Sequence, residues 1–170
     1  MKIIVLPGFS LSNEKASNEM AVGLREKYED IVVWAWPHWN TGVDADFNAD
    51  VEAEKILKTI DEPVYIVAKS IGTFVAMKIL RSKASLISKL ILNGIPMKGL
   101  SEDDKKTYQT QLSSFDAGKL LIFQNQDDPW GKYTEVSIFM KSINPQIKVI
   151  SKSRSDHSYS YIEDYIKFLL

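Results

Sequence analysis

The segment Val64–Phe74, reading Val-Tyr-Ile-Val-Ala-Lys-Ser-Ile-Gly-Thr-Phe, constrains this chain more than any other. Its β-branched apolar run predicts a buried strand over Val64–Ala68, and the apolar spacing through Leu80 predicts a helix over Ile71–Arg81. Almost no loop separates the two, so Ser70 is pushed out of both elements and stands at the corner. Ala68 and Gly72, two positions to either side, are small enough for strand and helix to pack closely around a strained turn. Two readings of Ser70 follow. Its hydroxyl caps the helix, as serine often does, or the corner presents that hydroxyl as a nucleophile, in the geometry of a Gly-x-Ser-x-Gly elbow with Ala68 in place of the first glycine. In the second reading the Ile71 N–H, unpaired at the helix start, is placed to bind an oxyanion.

Composition narrows the classes open to such a chain. At 170 residues it is long enough for one well-buried core, and residues 1–170 are expected to form a single domain. An apolar fraction of 45% and a charged fraction of 25% are ordinary for a globular protein, and a net charge of −1 gives no case for a nucleic-acid partner or an anionic membrane surface. The absence of cysteine excludes disulfides, thiol catalysis and cysteine-ligated metal. With only His38 and His157 available, no metal site and no cofactor is expected. The opening Met-Lys-Ile-Ile-Val-Leu-Pro-Gly is too short an apolar run for a signal peptide or a membrane span, so a cytoplasmic location is the expectation. Ala-Lys-Ser resembles the end of a phosphate-binding loop, but Pro63 and Ala68 stand where that motif requires glycine, and no Gly-x-Gly-x-x-Gly occurs.

Along the chain, short apolar runs predict strands at Lys2–Leu6, Ile31–Trp36, Val64–Ala68, Lys89–Asn93, Leu120–Gln124 and Ile147–Ile150. Helical spacing separates them. It predicts helices from Asn13 to about Tyr28, around Ala53, Ile56, Leu57 and Ile60, over Ile71–Arg81, Ser101–Phe115 and Tyr133–Ile143, and from Tyr159 to Leu170. Ser101 and Asp104 resemble a capping box. The Ser101–Phe115 helix is either a small cap over a cleft or a plain crossover. Six strands alternating with helices predict a three-layer α/β/α sandwich around a mostly parallel sheet. Ligands of such sheets sit beyond the carboxyl ends of the strands.

Those ends carry Pro7-Gly8-Phe9-Ser10, Trp36-Pro37-His38-Trp39, the Ser70 corner, Gln124-Asn125-Gln126-Asp127-Asp128-Pro129-Trp130, and Ser155-Asp156-His157-Ser158-Tyr159. The glycine of the first loop allows a tight turn that offers the Phe9 N–H as a second oxyanion donor; an ordinary Pro-Gly turn is the alternative. Phe9, Trp36, His38, Trp39, Met97 and Trp130 lie in or beside these loops, and together would line an apolar pocket; singly, each could equally cover a sheet edge.

Ser70, Asp128 and His157 fall on three strand ends in the order nucleophile, acid, histidine. In that order, and in its Leu-Pro-Gly-Phe loop, Ala-Lys-Ser-Ile-Gly corner, Asp-Asp-Pro loop and late Asp-His, the chain resembles a small α/β-hydrolase superfamily member. The resemblance is to a small member, expected to be a compact version of that fold without its N-terminal strands or a large lid. The resemblance implies an esterase-like serine hydrolase acting on a small-molecule carboxyl ester or thioester through an acyl-enzyme on Ser70, with His157 as general base and Asp128 orienting it. Asp127 and Asp156 compete for the acid's role, and Asp128-Pro129 favours Asp128. An acyltransferase using the same three residues, and a non-catalytic binding protein on the same scaffold, are the alternatives. The sequence does not fix an oligomeric state.

Overall fold

The computed structural model describes residues 1–170. Six strands, β1 (Lys2–Leu6), β2 (Ile31–Val33), β3 (Val64–Lys69), β4 (Ile87–Asn93), β5 (Leu120–Asn125) and β6 (Lys148–Lys152), form one sheet in the order β2-β1-β3-β4-β5-β6. Every neighbouring pair is parallel. The helices between them are α1 (Ser12–Leu24), the short α2 (His38–Thr41), α3 (Ala49–Leu57), α4 (Ile71–Lys83), α5 (Glu102–Ser114), α6 (Tyr133–Ile143) and the closing α7 (Ile162–Leu169).

The period-two alternation of strand side chains divides the core. Ile4, Leu6, Ile66, Ala68, Leu90, Leu92 and Ile122 face the layer of α3, α4, α5 and α6, while Ile3, Val5, Val67, Ile91, Leu121 and Phe123 face α1 and α7. Both faces are therefore covered, which is why the strand sequences read as unbroken apolar runs rather than alternating ones. Truncating a fully buried member such as Leu6 or Ile66 to alanine removes about 2–5 kcal/mol.

Chain direction sets the site. From β1 the chain crosses one way to β2 and then returns to place β3 on the other side of β1, so the topology switches between the carboxyl ends of β1 and β3. The Pro7–Ser10 loop leaves one of those ends and Ser70 the other.

Several expected boundaries shift for physical reasons. The strand expected over Ile31–Trp36 ends at Val33, because β2 is an edge strand whose neighbour β1 stops at Leu6; Trp34 N–H still donates to Val5 O, and the chain then turns inward. The last helix starts at Ile162 rather than Tyr159, because Tyr159 and Tyr161 are drawn to the end of β5 by their hydroxyls. The helix α5 keeps its capping box between Ser101 and Asp104. Tyr108 and Leu112 of α5 are fully buried, and the Tyr108 hydroxyl bonds Thr73 Oγ1 at 2.6 Å, so α5 is a crossover helix packed on α4 and not a cap. No helix is long and apolar enough to cross a membrane.

Candidate active site at the switch point

At the corner between β3 and α4, Ser70 has φ 53° and ψ −122° and is the only non-glycine residue with positive φ. A side chain costs on the order of 1–3 kcal/mol to hold there. The strain is over-determined by its surroundings. Ser70 N–H donates to Asn93 O at 2.9 Å, and Ser70 O accepts from Thr73 N–H and Thr73 Oγ1. Gly72 explains how the helix starts so close to the sheet: a Cβ there would lie 2.3 Å from Leu6 O and 2.7 Å from Pro7 O. The Ser70 side chain makes no capping hydrogen bond, which removes the helix-cap reading. Its hydroxyl is left facing a cavity of about 320 Å³, which His157, Phe9, Ser10, Ile71, Pro96, Leu100 and Trp130 also line.

The acid loop and the histidine loop meet beside it. His157 Nδ1 lies 2.7 Å from Asp128 Oδ2, and Asp128 is fully buried. The same oxygen accepts from the Tyr159 hydroxyl at 2.6 Å, and Oδ1 accepts from Trp130 N–H at 2.8 Å. Burial pushes the Asp128 carboxyl up, but the bonds from His157, Tyr159 and Trp130 outweigh it and hold the group below the ordinary carboxylate range. Burial, together with the carboxylate it serves, raises the Tyr159 phenol far above its usual value, so Tyr159 stays a donor. A carboxylate partner fixes the Nδ1–H tautomer of His157 and leaves the lone pair on Nε2. That Nε2 is buried and has no hydrogen-bond partner.

The competing carboxylates are engaged elsewhere. Asp127 is exposed, with Lys132 4.0 Å away. Asp156 forms a fork with Arg154 and accepts from Ser158 N–H, and Arg154 holds its carboxyl low.

Some pocket assignments read from the sequence need correction. Phe9 and Trp130 line the cavity, with the Trp130 ring 6.4 Å from that of His157. Trp36 does not: it is fully buried under the first loop, with Nε1 on the carbonyls of Pro7 and Gly8. His38 and Trp39 border a separate depression on the far side of Phe9. Met97 packs on the core, and its neighbours Pro96, Gly99 and Leu100 take the expected place in the wall.

Four residues of the site have roles that sequence reasoning missed. Gln124 and Asn125 end β5 as fully buried polar residues. Gln124 Oε1 accepts from Ile95 N–H and its Nε2 donates to Gly131 O, tying the loops after β4 and β5 together. Asn125 Nδ2 donates to Asp156 O and Ser158 O, fixing the histidine loop. Tyr159 closes the ring through its bond to Asp128 and accepts from Asn125 N–H. The signal for the first two was two polar side chains continuing an apolar strand. Lys69, beside Ser70, bonds Asn13 Oδ1 at 2.5 Å, and Asn13 Nδ2 in turn donates to Ser10 O. Burial lowers the Lys69 ammonium, against the raising effect of Asp128 and Asp156.

Ile71 is the first residue of α4 and its N–H has no intrahelical acceptor. The amides of Phe9 and Ser10, across the cavity, donate to no group of the chain.

No protein-family model and no curated protein sequence matches the chain. Solved structures do. The mouse α/β hydrolase domain-containing protein 10 superposes with a TM-score of 0.69 at 14% identity, over 99% of this chain and 87% of that one. N-formylmaleamic acid deformylase from Pseudomonas putida gives 0.65 at 11% identity, over 99% and 91%. A lidless α/β serine hydrolase from Xanthomonas campestris gives 0.59 at 16% identity, over 92% and 72%. At such identities the likeness is one of architecture, and on that ground the chain has the α/β-hydrolase fold.

Proposed function

We propose that this protein is a serine hydrolase that cleaves a carboxyl ester or thioester of a small molecule through an acyl-enzyme on Ser70. The observation that carries the reading is the strained, uncapped Ser70 opening onto the same cavity as a histidine whose other nitrogen is bonded to a buried carboxylate. A serine hydroxyl is a weak nucleophile until a base takes its proton. In this reading His157 Nε2 takes it as Oγ attacks the carbonyl, then returns it to the leaving group. Asp128 keeps the ring in the required tautomer and stabilises the imidazolium. The N–H groups of Phe9 and Ile71 receive the negative charge that develops on the carbonyl oxygen. Water, activated by the same histidine, then releases the acid. The cavity is walled by Phe9, Ile71, Leu100, Pro96 and Trp130 and carries no Asp, Glu, Lys or Arg side chain, which suits an uncharged acyl or aryl group. The deformylase and serine-hydrolase neighbours support the reaction class.

A fluorophosphonate probe tests it. The wild-type protein is expected to be labelled and Ser70→Ala is not. Label that persists in Ser70→Ala puts the nucleophile elsewhere, and a folded wild type that takes no label points to a binding protein. Turnover of aryl esters of increasing acyl length, with a thioester beside them, then fixes the acyl group.

A further inference from the structure

The segment Trp36-Pro37-His38-Trp39 lies beside the cavity yet contributes nothing to its wall. Its ring nitrogens instead converge on the first loop. Trp36 Nε1 lies 3.2 Å from Pro7 O and 3.1 Å from Gly8 O, while His38 Nε2 and Trp39 Nε1 reach Phe9 O at 2.6 and 2.7 Å. Three side chains thus hold three consecutive carbonyls. The chain has no cis peptide bond, and in a planar trans peptide the C=O of one residue and the N–H of the next point opposite ways. Holding Gly8 O back turns the Phe9 N–H away from Trp36, and holding Phe9 O back does the same for the Ser10 N–H. Both of those amides bond nothing in the chain, and both residues line the cavity.

We infer that Trp36, His38 and Trp39 are positioning residues, whose ring N–H groups fix the peptide planes of the Pro7–Ser10 loop so that the Phe9 and Ser10 amides face the cavity as oxyanion donors. The inference rests on the hydrolase reading for what the amides do, though not for where they point. His38 supplies the second argument. With Nε2–H given to Phe9 O, its Nδ1 is a bare acceptor, buried and unpaired. Stacked on Phe9 with ring centroids 4.2 Å apart, it occupies a place that phenylalanine would fill without orphaning a polar atom. The donor is what the histidine adds.

The experiment compares Trp36→Phe, His38→Phe and His38→Gln, with active sites counted by fluorophosphonate. A tryptophan isostere lacking the N–H, benzothienylalanine, placed at position 36 removes the donor while keeping the shape. Trp36→Phe, the isostere and His38→Phe are expected to lower kcat per active site about 10–100-fold, short of the loss from deleting a donor outright. KM should change less than about threefold, and a trifluoromethyl ketone, which binds as the oxyanion, should weaken in parallel with kcat. Glutamine can still donate to Phe9 O, so His38→Gln should recover most of the loss. Equal kcat in His38→Phe, the isostere and wild type overturns the inference, as does a loss seen only in melting temperature. Amide ¹⁵N–¹H spectra separate the two claims. Should the wild type take no label, the hydrolase reading fails, while Phe9 and Ser10 resonances displaced in Trp36→Phe and the isostere sustain the positioning role. Resonances that stay in place refute it.

Discussion

His157, in the loop after β6, and His38, at the start of α2, are the only histidines of the chain, and each has one ring nitrogen bonded and the other buried without a partner. The bonded partner separates them. His157 gives Nδ1–H to a buried carboxylate, which is itself held by two further donors and stabilises positive charge on the ring. His38 gives Nε2–H to a backbone carbonyl, a neutral acceptor it shares with Trp39. A ring on a carboxylate can take up a proton and pass it on; a ring on a peptide carbonyl is a fixed donor. The surroundings agree. His157 lines the cavity with Ser70, whereas His38 is stacked between Phe9 and the edge of Phe47.

The sharpest way to break this contrast is to replace each ring by glutamine. His157→Gln removes the base, and turnover is expected to fall about 10⁴-fold or more. His38→Gln preserves a donor, and less than a tenfold loss is expected. Comparable losses in the two variants would erase the distinction. Next comes the carboxylate. Asp128→Asn should lower kcat about 10⁴-fold, because an amide no longer selects the Nδ1–H tautomer. Asp127→Asn, altering an exposed group with one distant lysine, should stay within about twofold. A severe effect at Asp127 with a mild one at Asp128 would move the acid by one residue.

The histidine–carboxylate side of the site was legible in the sequence and the clamp side was not. Strand ends are fixed by apolar periodicity and chain order, so the loops that carry Ser70, Asp128 and His157 could be placed from spacing, while the choice of those three residues within them came from the resemblance to α/β-hydrolases. Asp128 was separable from Asp127 only by the following proline. The aromatic residues after β2 were legible as a cluster near the site, but an indole ring in a sequence does not say whether its face or its N–H is in use. Trp36 was read as a pocket wall because it is large and apolar; its burial depends on β2 ending early, which is a property of the edge of the sheet. Tyr159 was likewise read as the first residue of a helix. Its hydroxyl is claimed by a carboxylate 31 positions away, and no local pattern encodes that.

The smallest expected effect concerns that tyrosine and sharpens the account of what distinguishes His157. Tyr159→Phe keeps the ring against Gly94, where the loop closes on the sheet so tightly that a glycine Cβ would lie 2.4 Å from the tyrosine ring. It removes one of three donors to Asp128 and leaves the Asn125 N–H without its acceptor. Losing a bond to a charged group while orphaning a buried amide should cost about 2–4 kcal/mol at neutral pH. Turnover should fall only about tenfold, since Nδ1 keeps its carboxylate. The pH dependence carries the diagnosis. The folded pKa of Asp128 lies below its unfolded value, so its contribution is fully present above that unfolded value, about 4, and is lost as pH falls through the lower folded one. Removing the tyrosine donor raises the folded pKa toward the unfolded one. Denaturant unfolding of the two proteins should therefore show a gap that is widest near neutrality and narrows as acid protonates Asp128. A gap that stays constant down to pH 2 would mean that the tyrosine supports only packing and the Asn125 amide, and that Asp128 owes its ionisation to His157 and the Trp130 amide.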